Sequence, residues 1–150
     1  MSAVLLLKVV HIIAAIVAVG ANVTYAFWLR RAGTADRERL VFTIDTIRKL
    51  DNMIATPAYV VVLLTGLAMV FLGAFSFETN WIRAAIGLYV LVVILSIALY
   101  APALRRQLAE AQVDPSSAAY RAAASRSTTL GIVVMIIVLV IVVLMVAKPF

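Results

Sequence analysis

The sequence predicts an all-α integral membrane protein: a four-transmembrane-helix up-and-down bundle with an amphipathic interfacial helix between its first two spans. Three observations carry this. The chain is 65% hydrophobic with a mean hydropathy of +1.12, too apolar for a soluble domain of 150 residues, and only 13% of its residues are charged. Four stretches, 9–29, 52–77, 84–104 and 127–147, contain no Asp, Glu, Lys or Arg. Each runs for at least 21 residues, and a helix needs about 20 to cross the hydrocarbon core. Barrel strands would instead alternate in polarity over about 10 residues, which these stretches do not.

The first span, about 3–29, is "KVVHIIAAIVAVGANVTYAF" with its flanks. It is not a cleaved signal of the usual order, because its arginine pair, Arg30 and Arg31, follows the apolar stretch. The connection after it carries Arg30, Arg31, Arg37, Arg39, Arg48 and Lys49, and the one after the third span carries Arg105, Arg106, Arg121 and Arg126. The short connection between has Glu78, with Arg83 at its edge. Basic residues collect on the cytoplasmic side. Both termini are therefore expected outside, and the family resemblance given below implies that the membrane is the bacterial inner (plasma) membrane.

The segment "TADRERLVFTIDTIRKLDNM" is helical in pattern: Leu40, Ile44, Ile47 and Ile54 recur at helical spacing with charges on other faces. It predicts an amphipathic helix over 36–52, packed on the membrane surface or the bundle and running toward span two, about 53–75. Pro57 would start or kink that span. The third span is placed at about 81–104. Asp114-Pro115 marks a turn, and an alanine-rich run leads into the fourth, about 127–147. Trp28, Trp81 and Tyr100 fall near expected interfaces, where amphipathic rings serve as anchors.

The absence of cysteine excludes disulfides, thiolate metal sites and iron–sulfur clusters. No phosphate-binding glycine loop, nucleophile triad or paired metal motif occurs. The net charge of +6 lies between apolar spans, so it sets orientation and implies no nucleic-acid partner. The expected partner is the lipid bilayer, with a homodimer or a larger membrane complex open.

Three polar residues interrupt the first span. Lys8 and His11 are three apart and Asn22 is eleven beyond His11, so they share one helix face. A polar stripe in lipid costs roughly several kcal/mol per group, so this face should turn into the bundle. Lys8 is also placed to snorkel to headgroups, and Asn22 to bond a neighbouring helix. His11, the only histidine, is open to two readings: a packing hydrogen bond, or ligation of a metal or cofactor. By helical rise His11 and Tyr89 lie roughly 12 Å deep and Met69 roughly 9 Å deep. His11, Met69 and Tyr89 therefore fall near one level, and a histidine with a methionine can ligate haem iron.

These residues carry a resemblance. "KVVHIIAAIVAVG" is similar to the opening of the HemJ-type protoporphyrinogen oxidase family, a Lys-x-x-His followed by a glycine. "IRKLDNMIATPAYVVVLLTGLAMV" resembles its second segment, Trp81 its third-segment tryptophan, and "VVLMVAKPF" its Lys-Pro-Phe ending. The CopD-type copper-resistance membrane proteins are more distant in pattern, and the Asn22-containing form looks closer to an uncharacterised bacterial membrane family within this group. The resemblance implies a shared fold, and haem b bound through His11 with Lys8 as a weaker companion. Ala85 stands where the family has a lysine, and "SRSTTLG" replaces its Asn-Glu-x-Pro stretch.

Two functions are expected as alternatives. In one, the chain binds haem b through His11, with Met69 or Lys8 as second ligand and Tyr89 nearby, and has a redox role, whether or not it is itself an enzyme. In the other, it is a non-catalytic accessory or assembly subunit without cofactor. Metal passage fits less well, because one histidine and five scattered methionines make a poor relay.

Overall fold

The structure is a computed structural model that describes residues 2–149. Among them are four helices long and apolar enough to cross a membrane: α1 (Ala3–Ala32), α2 (Arg37–Phe71), α3 (Asn80–Val113) and α4 (Ala118–Ala147). No strand occurs among the described residues. The turns place α1 beside α2 and α3 beside α4, and the up-and-down ring closes between α1 and α4 and between α2 and α3. One end of the bundle carries the α1–α2 and α3–α4 turns and most of the basic residues. The other carries the α2–α3 turn and Trp81.

Local chemistry sets the helix ends. Ser2, Asp36 and Ser117 each accept a backbone N–H from three residues on, at Leu5, Arg39 and Tyr120, satisfying donors that a helix start leaves free. α2 ends where Gly73 enters the left-handed region at φ +75°. Its N–H bonds Val70 and the next N–H, of Ala74, reaches back to Met69. This double closure requires a residue without Cβ strain. In the α3–α4 turn Asp114 accepts both the hydroxyl and the amide of Ser116, which hold its carboxyl below the usual carboxylate range.

α2 and α3 run for 35 and 34 residues, well beyond the roughly 20 that a span needs. Each is interrupted once by a π-helical segment, Asp51–Ala55 in α2 and Ser96–Tyr100 in α3. The cause is proline. Pro57 and Pro102 lack the N–H that an α-helix would use and crowd the preceding turn. The residues just before them, Thr56 and Ala101, bond five residues back, to the carbonyls of Asp51 and Ser96. The far residues of the two segments, Asp51 and Tyr100, each lie twenty residues from the α2–α3 turn ends of their helices, Phe71 and Asn80, so the segments sit at one level.

Below that level the basic-end extensions pack on one another. Leu40, Ile44 and Ile47 of α2 are buried against Tyr25 and Ala32 of α1 and Leu104, Leu108 and Ala111 of α3. The amphipathic segment is thus present, but it lengthens the bundle instead of lying as a separate surface helix. Its apolar stripe faces the bundle; Phe42, on another face, is exposed. Ile54 departs from the stripe that the sequence assigns it, and Ala55 is buried in its place. The π segment adds one residue to the turn and rotates the residues beyond it. Trp81 also differs from the expected lipid-facing anchor. It is buried, edge-on to Phe75, with the Lys148 ammonium 5.7 Å from its ring centre. Trp28 and Phe27 are exposed, as an interface position allows.

Candidate functional site

The polar side chains within the bundle form three levels. The level nearest Trp81 is built on His11. Ala14 and Ala18, on the buried seam of α1, bring α1 and α2 close, as small residues do between membrane helices. His11 meets α2 at Thr65 and Gly66. Its Nδ1 lies 3.0 Å from Thr65 Oγ1. Thr65 gives its own proton to the Val61 carbonyl, 2.6 Å away, so toward His11 it can only accept. With Thr65 as acceptor, the imidazole proton sits on Nδ1 and Nε2 keeps a free lone pair. Gly66 eases the same approach, since a Cβ there would stand 3.2 Å from His11 Cε1 and the ring would have to give by a few tenths of an ångström. His11 itself is half-buried.

The other expected site residues separate. Lys8 is exposed and does not line the interior with His11 and Asn22. It lies one turn nearer the end of the helix and 60° round from His11, where a long stem can carry the ammonium toward headgroups or water. Met69 is buried, one turn beyond Thr65 on the same face of α2. Tyr89 belongs to the middle level: its hydroxyl donates to the Tyr59 carbonyl at 2.7 Å, six residues along α2 from Thr65, or roughly 9 Å of helix. Asn22 joins it there, donating to the Tyr59 hydroxyl at 2.7 Å. Among the described residues this tyrosine bond links α2 and α3 across a part of the bundle where their backbones do not approach closely. Replacing Asn22 by leucine is expected to cost about 1–2 kcal/mol in detergent unfolding, because it leaves a tyrosine hydroxyl unpaired in an apolar interior.

The third level was not legible as a site in the sequence. Asp51, first residue of the α2 π segment, is half-buried and close enough to Tyr25, Tyr59 and Tyr100 to interact with all three electrostatically. Tyr25 is 5% exposed, and its hydroxyl has no partner. The signal available was a lone acid at the threshold of a span, with tyrosines at helical distances from it. Nearby, Ser127 donates to Gln107, a buried pair that ties α4 to α3. No group of three or more His, Cys, Asp or Glu side chains fit to hold a metal ion occurs among the described residues.

Four apolar helices with polar side chains paired inside define a small multi-span membrane protein. The chain belongs to the DUF2269 family, described as predicted integral membrane proteins, whose model matches residues 5–149. No curated protein and no solved structure matches it.

Proposed function

We propose that the chain binds haem b through His11 in the Trp81-side half of the bundle and has a redox role in the membrane. The observation that supports it is the orientation of His11: Thr65 takes the Nδ1 proton and leaves Nε2 as a free donor of electrons, the arrangement by which a second residue prepares an imidazole for ligation. Met69, buried on the same face of α2, is the candidate for a second ligand. Lys8, being exposed, suits an anionic group at the site's edge better than a buried iron. Ala85, where HemJ-type proteins have a lysine, is 1% exposed and offers neither donor nor space, so this chain would complete the site differently from that family. Bound haem would supply one-electron chemistry; the protein's part is to fix the imidazole, exclude water and set the depth of the site.

An absorption spectrum of protein purified after expression with ample haem tests this. A Soret band, or one that forms when haem is added, is expected. If neither is seen, the haem reading fails. Co-purification with a larger complex and no chromophore would instead favour an accessory or assembly subunit. That reading draws on the fact that Thr65 and Tyr59 already give His11 and Asn22 hydrogen-bond partners within the bundle.

The same reading places the protein in the bacterial inner membrane with the basic end in the cytoplasm and both termini outside. The support is the collection of arginines and lysines at the α1–α2 and α3–α4 ends. Single cysteines introduced at positions 35 and 118 are expected to resist impermeant thiol reagents in intact cells and react after lysis. Labelling of either from outside would reverse the orientation.

A further inference from the structure

We propose that the bundle holds an anionic phospholipid on α1, with Arg30 and Arg31 on its phosphodiester and Phe27 and Trp28 against the adjoining glycerol and acyl carbons. The inference needs the bundle to span a bilayer. It does not rest on the haem reading or on which face of the membrane is cytoplasmic.

The basic residues at the α1–α2 and α3–α4 end divide into two groups. Arg39 pairs with Asp36, Arg48 and Lys49 share Asp45, Arg106 reaches Glu110, and Arg121 donates to the Ser116 carbonyl. Arg30, Arg31, Arg37, Arg105 and Arg126 are exposed, and among the described residues none of them has an ion pair or a side-chain hydrogen bond. Four of these five stand at one depth. Tyr25 and Tyr100 pack in one cluster, and Gly131 approaches the Tyr100 ring. Arg30 and Arg31 lie five and six residues beyond Tyr25, Arg105 five beyond Tyr100, and Arg126 five before Gly131. Each is therefore roughly 8–9 Å of helix from that level. The α2 stretch from Asp51 to Phe71 already covers the hydrocarbon, because twenty steps of helix make about 30 Å. Headgroups begin where it ends, and four arginines without protein partners stand there on three helices. Arg37 is fourteen residues before Asp51, roughly 21 Å out toward water.

Helix direction selects α1 among the three. Side chains lean toward the start of their own helix. α1 and α3 run toward the basic end, so Arg30, Arg31 and Arg105 lean back to the membrane. α4 runs away from that end, so Arg126 leans to water. α1 alone offers two such guanidinium groups, and it sets exposed aromatic rings one turn closer to the hydrocarbon. Phe27 lies three and four residues before Arg30 and Arg31, Trp28 lies three before Arg31, and the two rings meet edge-on at 5.8 Å. The planar guanidinium fork matches phosphate oxygens, and a tryptophan at this depth sits among headgroups. A soluble phosphate would engage the arginines and leave the rings uncovered. A phospholipid with a net negative headgroup, such as phosphatidylglycerol, engages both.

The test is quenching of Trp28 by phospholipids brominated on their acyl chains, with the full chain reconstituted in phosphatidylcholine vesicles. Trp81→Phe leaves Trp28 as the only tryptophan. Should that variant not fold, the difference between the parent and Trp28→Phe gives the same signal. Brominated phosphatidylglycerol is expected to reach Trp28 with an affinity about 5-fold above that of brominated phosphatidylcholine, the factor that one cation near the surface supplies. The double variant Arg30→Gln, Arg31→Gln should bring the two lipids to parity. Arg37→Gln removes an equally exposed, unpartnered arginine beyond the headgroups and should leave the preference unchanged. Equal quenching by the two lipids in the parent overturns the proposal, as does a preference undiminished in the double variant. An equal loss in Arg37→Gln overturns it too, because net charge alone would then set the preference. So does removal of the preference by glycerol phosphate in solution at constant ionic strength, because the ligand would then be a soluble anion.

Discussion

Replacing Ile44 by alanine is expected to cost about 2–5 kcal/mol, whereas replacing Phe42 by alanine should change stability by less than about 0.5 kcal/mol. The two residues are neighbours on one helical turn and the larger is the dispensable one. Ile44 is 0% exposed, enclosed by Tyr25, Leu104, Leu108 and the α2 residues Leu40 and Ile47; Phe42 is 72% exposed. Removing the Ile44 side chain leaves a cavity at the centre of the cluster that packs the helices at this end. Phe42 has little to lose by truncation. Unfolding followed by circular dichroism in a mild detergent gives both numbers. The contrast also separates two architectures. If residues 36–52 lay on the membrane surface as a detached helix, Ile44 and Phe42 would both face a soft lipid boundary, and their costs would be similar and small. Spin labels at 40, 44 and 47 should likewise be less accessible to water than labels at 38, 45 and 49.

The sequence made the spans legible because charge is excluded from hydrocarbon: each charge-free stretch falls largely within one of the four helices. The helix starts at Ser2, Asp36 and Ser117, where short polar side chains cap free N–H groups, emerge from the structure. Part of what a linear reading missed traces to the two prolines. Pro57 was visible as a kink, but the π segment that relieves it was not. That segment turns Ile54 out, turns Ala55 in, and sets Asp51 among tyrosines from other helices. Helical periodicity assumes a constant turn, so one extra residue is enough to misplace every later position. At the site, the shared face of His11 and Asn22 was legible, while their partners were not. Thr65 looks like an inert residue in an apolar helix, and its role depends on which helix passes it. Depth arithmetic brought Tyr89 near His11, but a tyrosine side chain is long, and its hydroxyl joins the level of Tyr59.

The largest spectroscopic effect is expected from His11→Ala, which should abolish the haem absorbance and leave the bundle folded. The folding cost should be about 0.6–2 kcal/mol, the range for one interhelical hydrogen bond in a membrane protein, because α1 packs on α2 through Ala14 and Ala18. Thr65→Val distinguishes a ligand from a packing residue. It keeps the imidazole and removes the group that fixes its Nδ1 proton. If His11 ligates iron, haem affinity should fall by about 10- to 100-fold, as it does when the partner of a ligating histidine is lost, with the band still formed at high haem concentration. Gly66→Val should weaken binding as well, since even the first carbon of its side chain would reach 3.2 Å from His11 Cε1 and displace the ring. Haem titrations of the three variants beside the parent protein measure all of this. A Soret band of full strength in His11→Ala would place the iron on another residue. Equal affinities in Thr65→Val and the parent would mean that Thr65 does not orient the ring.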